Sequence, residues 1–479
     1  MDAERAETYL RLLAEAEVRS AAAAGRAAVG EPDVVHAGIW RMLPPAWVLM
    51  AVGAVEAGTA ETILTDLQLA LQARCLPREY ATTRPARLPR PERFPLSWRF
   101  PPRLTPGPGP GLGPGLGPES GAGAGAAAPG LAVPVGCRVR FADQGQNVEV
   151  CIMAASVTPT FARTMVTARA HGPEAGSRPV FESLKMTARD DRGGHYLTGL
   201  AGDIAPGSGG KWRGTISAWQ MPADMEWLEF RFLAGDRRVR IDLLAAPPLA
   251  QATAEDAPAG PGERLLIAAA ERALAAAGTE SAQAGRHAEM LAAIAAALTA
   301  AGALPSAGPL AGHIATLSVV LGGLGSPDGG LALVDAGLPE PWLDVLAGLR
   351  RMRAGYRAGN GCAAIGVDLG ELDGTRFVLA GLENEGGGTH LYVLVEGFRH
   401  PEVQWDTFGS DGVPTTFSWW LRDEAGHWHV AMPDTLQTGD GTFLSMEVLP
   451  PLSRSSDSVE VEVTGCAGRV RVRAPLAWF

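Results

Sequence analysis

Lysine is almost absent from this chain, although basic residues are not. Lys185 and Lys211 are the only lysines among 41 basic residues in 479, so arginine carries nearly all of the positive charge. This usage indicates a high-GC bacterial genome. Acidic residues still outnumber basic ones and give a net charge of −11 at pH 7. A negative molecule is repelled by phosphates at long range, which argues against a general affinity for nucleic acid.

Long apolar runs and a metal-binding cysteine pattern are also missing. The most apolar stretch, Ala292–Ala301, is shorter than the roughly 20 residues that span a bilayer. The start of the chain lacks the basic and apolar segments of a secretory signal. The five cysteines include no C-x-x-C pair, and Cys137 and Cys362, each preceded by glycine, are interpreted as equivalent buried positions of two copies. We therefore expect a cytoplasmic protein with no membrane insertion, no metal and no cofactor.

The motifs of the common catalytic classes do not occur. The sequence contains no G-x-S-x-G elbow, no P-loop ending in Gly-Lys-Ser/Thr and no H-E-x-x-H helix. Its glycine-rich stretches are typical of turns, since none has the strand–glycine–helix context of a nucleotide site. No catalytic residue is therefore predicted, and a binding function is favoured over an enzymatic one.

One pattern occurs twice. Residues 228–241 and 459–472 each contain two runs of alternating apolar and charged residues around a glycine-containing turn, which is typical of a β-hairpin. The ungapped alignment matches Arg238–Ile241 with Arg469–Val472. In the helical parts, Gly53-Ala54-Val55 similarly matches Gly302-Ala303-Leu304. These matches predict a duplicated unit.

The predicted fold is α+β, a tandem duplication of a small helical bundle followed by an antiparallel β-sandwich of immunoglobulin-like size. Helices are expected at 3–24 and at Trp47–Val55, the second opened by Pro44 and Pro45, and seven strands are expected in the first sandwich. The predicted domains are a bundle at 1–83, an Arg/Pro then Gly/Pro/Ala linker at 84–131, a sandwich at 132–246, a linker at 247–261, a bundle at 262–360 and a sandwich at 361–479.

The best candidate site is an Asp-x-x-Gly-His-aromatic motif found in both sandwiches. It comprises Asp191, Gly194, His195 and Tyr196 in the first copy and Asp423, Gly426, His427 and Trp428 in the second. Turn chemistry explains every position except the histidine, because aspartate starts turns and glycine adopts positive φ. A hairpin turn is therefore favoured over a ligand-binding loop, whose candidate residues would be Asp191, His195, Asp423, His427 and His429.

A metal-site interpretation of the second copy is weaker. His427 and His429 alternate along a strand and would share one face near Asp423, and such a set can hold a divalent metal. The first copy has Leu197 at the position aligned with His429. Because spacing fixes no third ligand, no metal site is predicted.

A locally basic segment at 84–103 contains arginines, prolines and interleaved aromatic residues. Its partner-binding candidates are Arg90, Arg93, Trp98 and Arg99. An extended strip of this kind could dock on an acidic partner or lie across the protein's own acidic surface. The intramolecular role is favoured because Trp98 would otherwise be left in solvent.

Three functions remain open. The favoured one is a non-enzymatic protein-interaction or scaffold protein with duplicated binding modules, since two modules suit bivalent contact. The others are a hydrolase of unrecognised type, metal-dependent and active in the second sandwich, and a cytoplasmic regulator that sequesters a partner protein. Sandwich folds host all three uses, so architecture does not choose among them. We expect another protein as the partner, and the oligomeric state stays open.

Overall fold

The computed structural model describes residues 3–23, 32–75, 131–143, 145–157, 161–171, 180–204, 211–219, 225–243, 253–255, 260–279, 284–305, 308–324, 337–372, 375–396, 417–437, 443–465 and 468–479. The chain forms two compact units: one comprises 1–109, 257–349 and 400–418, and the other comprises 110–256, 350–399 and 419–479. Helices and antiparallel sheets are both present, so the fold is α+β as predicted.

The helices in the described residues are α1 (Ala3–Ala23), α2 (Pro32–Ala51), α3 (Ala57–Cys75), α4 (Pro261–Thr279), α5 (Ala284–Ala300), α6 (Pro309–Leu324) and α7 (Glu340–Arg353). The predicted start of α2 is wrong, because this helix begins at Pro32 and contains Pro44 and Pro45 in its interior. Met42 and Leu49 on either side of the prolines are fully buried. Tertiary packing therefore offsets the cost of proline inside the helix.

Helices from both predicted bundles belong to the first unit, where α2 packs against α5. These two helices end in the same way. Gly53 and Gly302 have φ of 71° and 67°, and their amides donate to Met50 O at 2.9 Å and Thr299 O at 3.1 Å. This left-handed glycine cap is the local structure behind the match between the two Gly-Ala segments.

The second unit is built from strands. The first sheet contains β1 (Leu131–Asp143), β2 (Gln146–Val157), β3 (Phe161–His171), β4 (Met186–Asp190), β5 (His195–Ile204), β6 (Lys211–Trp219), β7 (Trp227–Phe232) and β8 (Arg237–Asp242). The second sheet contains β9 (Thr253–Glu255), β10 (Gly361–Leu372), β11 (Thr375–Glu385), β12 (Gly388–Glu396), β13 (Ser418–Asp423), β14 (Trp428–Gln437), β15 (Phe443–Leu449), β16 (Ser458–Thr464), β17 (Arg469–Pro475) and β18 (Ala477–Trp478). The first sheet has eight strands where seven were predicted, and the strand that the prediction missed is β5. A short 3-10 helix, Val180–Leu184, precedes β4.

Eight strands of each sheet follow the same order. The first sheet runs β1-β2-β3-β6-β5-β4-β7-β8, and the second runs β10-β11-β12-β15-β14-β13-β16-β17, with β18 and β9 added at its two ends. Strands β1 and β8 come close together, as do β10 and β17. Each sheet therefore curls around its own core, which in the first sheet includes Val150, Phe230 and Ile241.

Both first strands carry a bulge at the same place. The pairing register shifts between Pro134 and Cys137 in β1 and between Ala364 and Val367 in β10. A glycine with positive φ lies in each shift, Gly136 at 56° and Gly366 at 65°. Counted from these bulges, Cys137 corresponds to Val367. The predicted equivalence of Cys137 and Cys362 is therefore wrong, because it matched glycines at different places in the strand.

The last hairpin of each sheet, β7–β8 in the first and β16–β17 in the second, has a connecting loop of different length. Phe232 pairs with Arg237 across four residues, 233–236, whereas the matching pair, Val463 with Val470, spans six residues, 464–469. The ungapped alignment of the second strands is therefore wrong by two residues. Arg238 and Arg240 correspond to Arg471 and Arg473.

The two sheets pack on each other through reciprocal contacts. A Cβ placed on Gly136 would meet Ala364 Cβ at 3.4 Å, and a Cβ placed on Gly366 would meet the backbone nitrogen of Pro134 at 2.3 Å. Because Gly136 corresponds to Gly366 and Pro134 to Ala364, each sheet uses the same surface, as in an isologous interface.

Candidate functional site

The turn between β4 and β5 is organised by Asp190, not by the predicted Asp191. The amides of Arg192 and Gly194 donate to its Oδ1 at 3.0 and 2.7 Å, and Tyr196 OH donates to its Oδ2 at 2.5 Å. Burial raises the pKa of Asp190, but the Tyr196 and backbone hydrogen bonds outweigh burial and hold that pKa below its ordinary value. Burial, together with the same hydrogen bond, raises the pKa of Tyr196 to about 12.

The turn between β13 and β14 repeats this arrangement around Asp423. The amide of His427 donates to Asp423 Oδ1 at 2.8 Å, and His429 Nε2 lies 3.6 Å from Asp423 Oδ2. Burial raises the pKa of Asp423, but the contacts with His429 and with the His427 amide hold it below its ordinary value. Both turns thus keep a carboxylate ionised beside an aromatic ring.

The strand pairing shows which residues correspond. Tyr196 lies opposite Ala188 in the first sheet, and His429 lies opposite Leu421 in the second. Each ring residue thus follows its aspartate by six positions. The predicted motif alignment is wrong by one residue, because Asp190 corresponds to Asp423 and Tyr196, rather than Leu197, corresponds to His429.

The predicted candidates in these turns have separate environments. Asp191 Oδ1 accepts a hydrogen bond from the amide of Glu226 at 3.0 Å, and His195 is exposed. His429 is only 3% exposed, and its Nδ1–H donates to Pro450 O at 2.6 Å. His427 is exposed in the turn before β14 begins, so strand alternation does not place the two histidines together. No group of three or more metal-ligating side chains occurs in the part of the chain that the structure describes.

A charged cleft of about 190 Å³ lies where the two sheets pack. Lys211, with a side chain only 6% exposed, lies 2.8 Å from Glu383 Oε2 and also donates to Glu385. Tyr392 OH donates to Glu383 Oε2 at 2.7 Å, and Arg169 pairs with Glu385. Burial raises the pKa of Glu385, but Lys211 and Arg169 hold it below its ordinary value. Sequence reasoning missed this cluster because its partners are far apart in the chain: Lys211 and Glu383 are separated by 172 residues.

The outer edges of the sheets are completed differently. Strand β9 pairs with β17, which places Glu255 opposite Arg469 and Thr253 opposite Arg471. This strand falls in the segment 247–261 that was predicted as a linker. Within the described ranges, the corresponding strand β8 is the last of its sheet and has only β7 as a neighbour.

The surface beside β8 is basic and aromatic. Arg237, Arg238 and Arg240 are exposed, and Arg240 Cζ lies 4.6 Å from the ring centroid of Trp227. Arg240 Nε also lies 2.7 Å from Asp242 Oδ1. Sequence reasoning interpreted these arginines only as the solvated face of a hairpin.

The basic strip predicted to bind a partner lies elsewhere in the chain. Arg90, Arg93, Trp98 and Arg99 fall outside the described residues, so their role remains a prediction. Among the helices of the described ranges, none is long and apolar enough to cross a membrane.

Comparison with known proteins gives little further guidance. No protein-family model matches the chain, and no curated protein is significantly similar to it. Among solved structures, it is similar to a conserved domain protein from Bacillus anthracis at 8% sequence identity, with a TM-score of 0.14 and coverage of 70% of this chain and 77% of that one. A similarity of this size supports no inference about function.

Proposed function

We propose that the protein is a non-enzymatic interaction protein whose first sheet binds an extended, acidic segment of a partner protein along β8. The observation that carries this proposal is the difference between two corresponding edges. Strand β17 is covered by β9, whereas β8 is outermost among the described strands. An outermost strand offers backbone groups to which an extended peptide can add.

Charge favours an acidic occupant. Strand β8 presents Arg237, Arg238 and Arg240 in a chain whose net charge is −11. Acidic side chains of an added strand would lie beside these arginines, and opposite charges across a strand pair contribute about 0.2–1 kcal/mol each.

A duplicated scaffold supports this use. We infer that the two sheets are copies of one module, an inference supported by their shared strand order, the matching bulges at Gly136 and Gly366 and their reciprocal contacts. One copy then closes its edge with a strand of the chain itself, while the other keeps that edge for a partner. The hydrolase hypothesis is not favoured, because the histidines it rested on have separate environments: His427 is exposed in the turn, and His429 is buried and donates to Pro450 O.

Differential capture tests the proposal. The full-length wild type and the variant Arg238→Glu/Arg240→Glu are immobilised, and the proteins captured from the source organism are quantified by mass spectrometry. The matched control is Arg473→Glu, which reverses the charge corresponding to Arg240 on β17. We expect a captured protein that the control retains and the double variant loses.

The captured protein is then purified and added back during amide hydrogen exchange. Protection confined to Arg237–Asp242 and its flanking turn is the expected result. Capture that is equal for all three proteins would contradict the proposal, and so would protection elsewhere. If the double variant instead self-associates without losing any partner, the arginines serve only to keep the edge from aggregating, and the proposal is wrong.

A further inference from the structure

Two cysteines meet where the sheets pack. Cys151 in β2 and Cys362 in β10 are each 5% exposed and belong to one buried cluster. The two side chains are in hydrogen-bonding contact, and this contact is the largest influence on the pKa of each thiol. Counted from the bulges, Cys151 corresponds to Val378 and Cys362 to Ala132, which are buried apolar residues of the same cluster. Packing at this interface therefore does not require a thiol pair.

The contact between the two side chains makes their pKa values unequal, because Arg138 and Glu383 act in the same direction on both thiols. The contact with Cys362 holds the pKa of Cys151 below its usual value despite burial, and the positive charge of Arg138 also lowers it. The same contact and burial raise the pKa of Cys362. Because the thiolate is the reactive form of cysteine, the lowered pKa favours Cys151 over Cys362 as the nucleophile of the pair.

Small reagents can reach the pair from the charged cleft. Both cysteines line this cleft, together with Arg138, Lys211 and Phe479, and its volume is about 190 Å³. A water molecule occupies about 30 Å³ in the liquid, so a reagent of the size of hydrogen peroxide fits beside the sulfurs.

We propose that Cys151 and Cys362 are an oxidation site, at which a peroxide produces a reversible disulfide that joins the two sheets. In the first step the Cys151 thiolate attacks the peroxide: an S–O bond forms, the O–O bond breaks, and the departing hydroxide is protonated to water. In the second step the Cys362 sulfur attacks the Cys151 sulfenic acid: the S–S bond forms, the S–O bond breaks, and the Cys362 proton leaves with the hydroxide as a second water. Two thiols and one hydrogen peroxide thus give one disulfide and two waters.

Mass spectrometry of the full-length protein tests the proposal. The reduced protein is treated with stoichiometric hydrogen peroxide, its remaining thiols are alkylated, and its peptides are mapped with and without dithiothreitol. We expect a linked peptide joining positions 151 and 362, the loss of two thiols, and recovery of both on reduction. The melting temperature should rise on oxidation and return on reduction, because the bond constrains the unfolded chain.

Variants separate the two roles. Cys362→Ser should leave a Cys151 sulfenic acid that dimedone traps, whereas Cys151→Ser should leave Cys362 unreacted. The control Cys137→Ser should form the same linked peptide as the wild type. Unchanged thiols after peroxide treatment, a linkage through Cys75, Cys137 or Cys466, or direct conversion of Cys151 to its sulfinic acid would each overturn the proposal.

Discussion

Asp190 and Tyr196 illustrate a local interaction whose energy can be measured. The carboxylate is 2% exposed and accepts the Tyr196 hydroxyl at 2.5 Å. Hydrogen bonds to charged groups contribute about 1.5–3 kcal/mol. We expect Tyr196→Phe to lower the free energy of unfolding by about this amount in urea titrations at pH 7. The exposed Tyr356 supplies the control, since Tyr356→Phe should change the value by less than about 0.5 kcal/mol. Equal effects of the two substitutions would contradict this assignment.

The same residues make stability depend on pH in two windows. The lowered pKa values of Asp190 and Asp423 mean that their contribution is present above the ordinary aspartate pKa and is lost as pH falls through the folded values. Tyr196, raised from 10.0 to about 12, stabilises fully below its ordinary pKa and stops doing so as pH rises through about 12. Melting temperatures across this range should show both losses. Asp423→Asn should reduce the fall in melting temperature at acidic pH, and Tyr196→Phe should reduce the fall at alkaline pH. A variant whose melting temperature follows the same pH dependence as the wild type would contradict the assignment for that residue.

Predictions for single residues failed where two adjacent residues of the same type could fill one structural position. Asp190 and Asp191 are adjacent, and both are typical turn residues. Only the strand pairing, with Tyr196 opposite Ala188, decides which carboxylate enters the turn. The motif was found, but its register was wrong by one residue because shared residue types do not reveal which backbone amides face inward.

At the scale of elements, strand β10 contains two glycines with positive φ, Gly366 and Gly370. Alanine substitutions at these two positions distinguish the cost of backbone strain from the cost of a steric clash. Gly370 has φ of 77° with no atom within 4 Å of an added Cβ, whereas Gly366 has φ of 65° and would place that Cβ 2.3 Å from Pro134 N. Gly370→Ala should therefore cost only the conformational strain, about 1–2 kcal/mol. Gly366→Ala adds overpacking of about 1–3 kcal/mol. Chemical denaturation of both variants measures the difference, and equal values would contradict the close approach of the two sheets at Pro134.

Helices and strands could be predicted from the sequence where the spacing of apolar residues follows a single period. The helix predicted at 3–24 agrees with α1 at Ala3–Ala23, whereas the helix predicted at Trp47–Val55 starts too late and ends beyond Ala51, the last residue of α2. The hairpins β7–β8 and β16–β17 were found by alternation, yet their alignment was wrong by two residues. A shift by two keeps every side chain on the same face, so alternation cannot detect it. The charged cleft had no local signal, because contact between the sheets brings its residues together.

The Lys211 cluster ties the two sheets together electrostatically. Lys211→Met would leave the carboxylate of Glu383, whose side chain is only 7% exposed, without its closest cation. Removing one partner of a buried pair costs about 3–5 kcal/mol, and we expect a loss near the lower end because Arg169 remains nearby. Lys185, the other lysine, is exposed, so Lys185→Met is the control and should be close to neutral in the same unfolding experiment. Restoration of part of the loss by Glu383→Gln in the Lys211→Met background would identify unpaired charge, rather than lost packing, as the cause.

At the scale of the whole chain, the two sheets form one unit through equivalent surfaces, and the cysteine pair occupies only one of two equivalent places. If the contact is truly reciprocal, moving the pair should preserve its chemistry. The variant Cys151→Val/Cys362→Ala/Ala132→Cys/Val378→Cys exchanges the residues between corresponding positions. We expect diamide, a general thiol oxidant, to link positions 132 and 378 in this variant as readily as it links 151 and 362 in the wild type, measured by peptide mapping. A variant that folds with an unchanged circular dichroism spectrum but forms no link would show that the two halves of the contact differ, and the inference of a duplicated module would then rest on the shared strand order and the matching bulges.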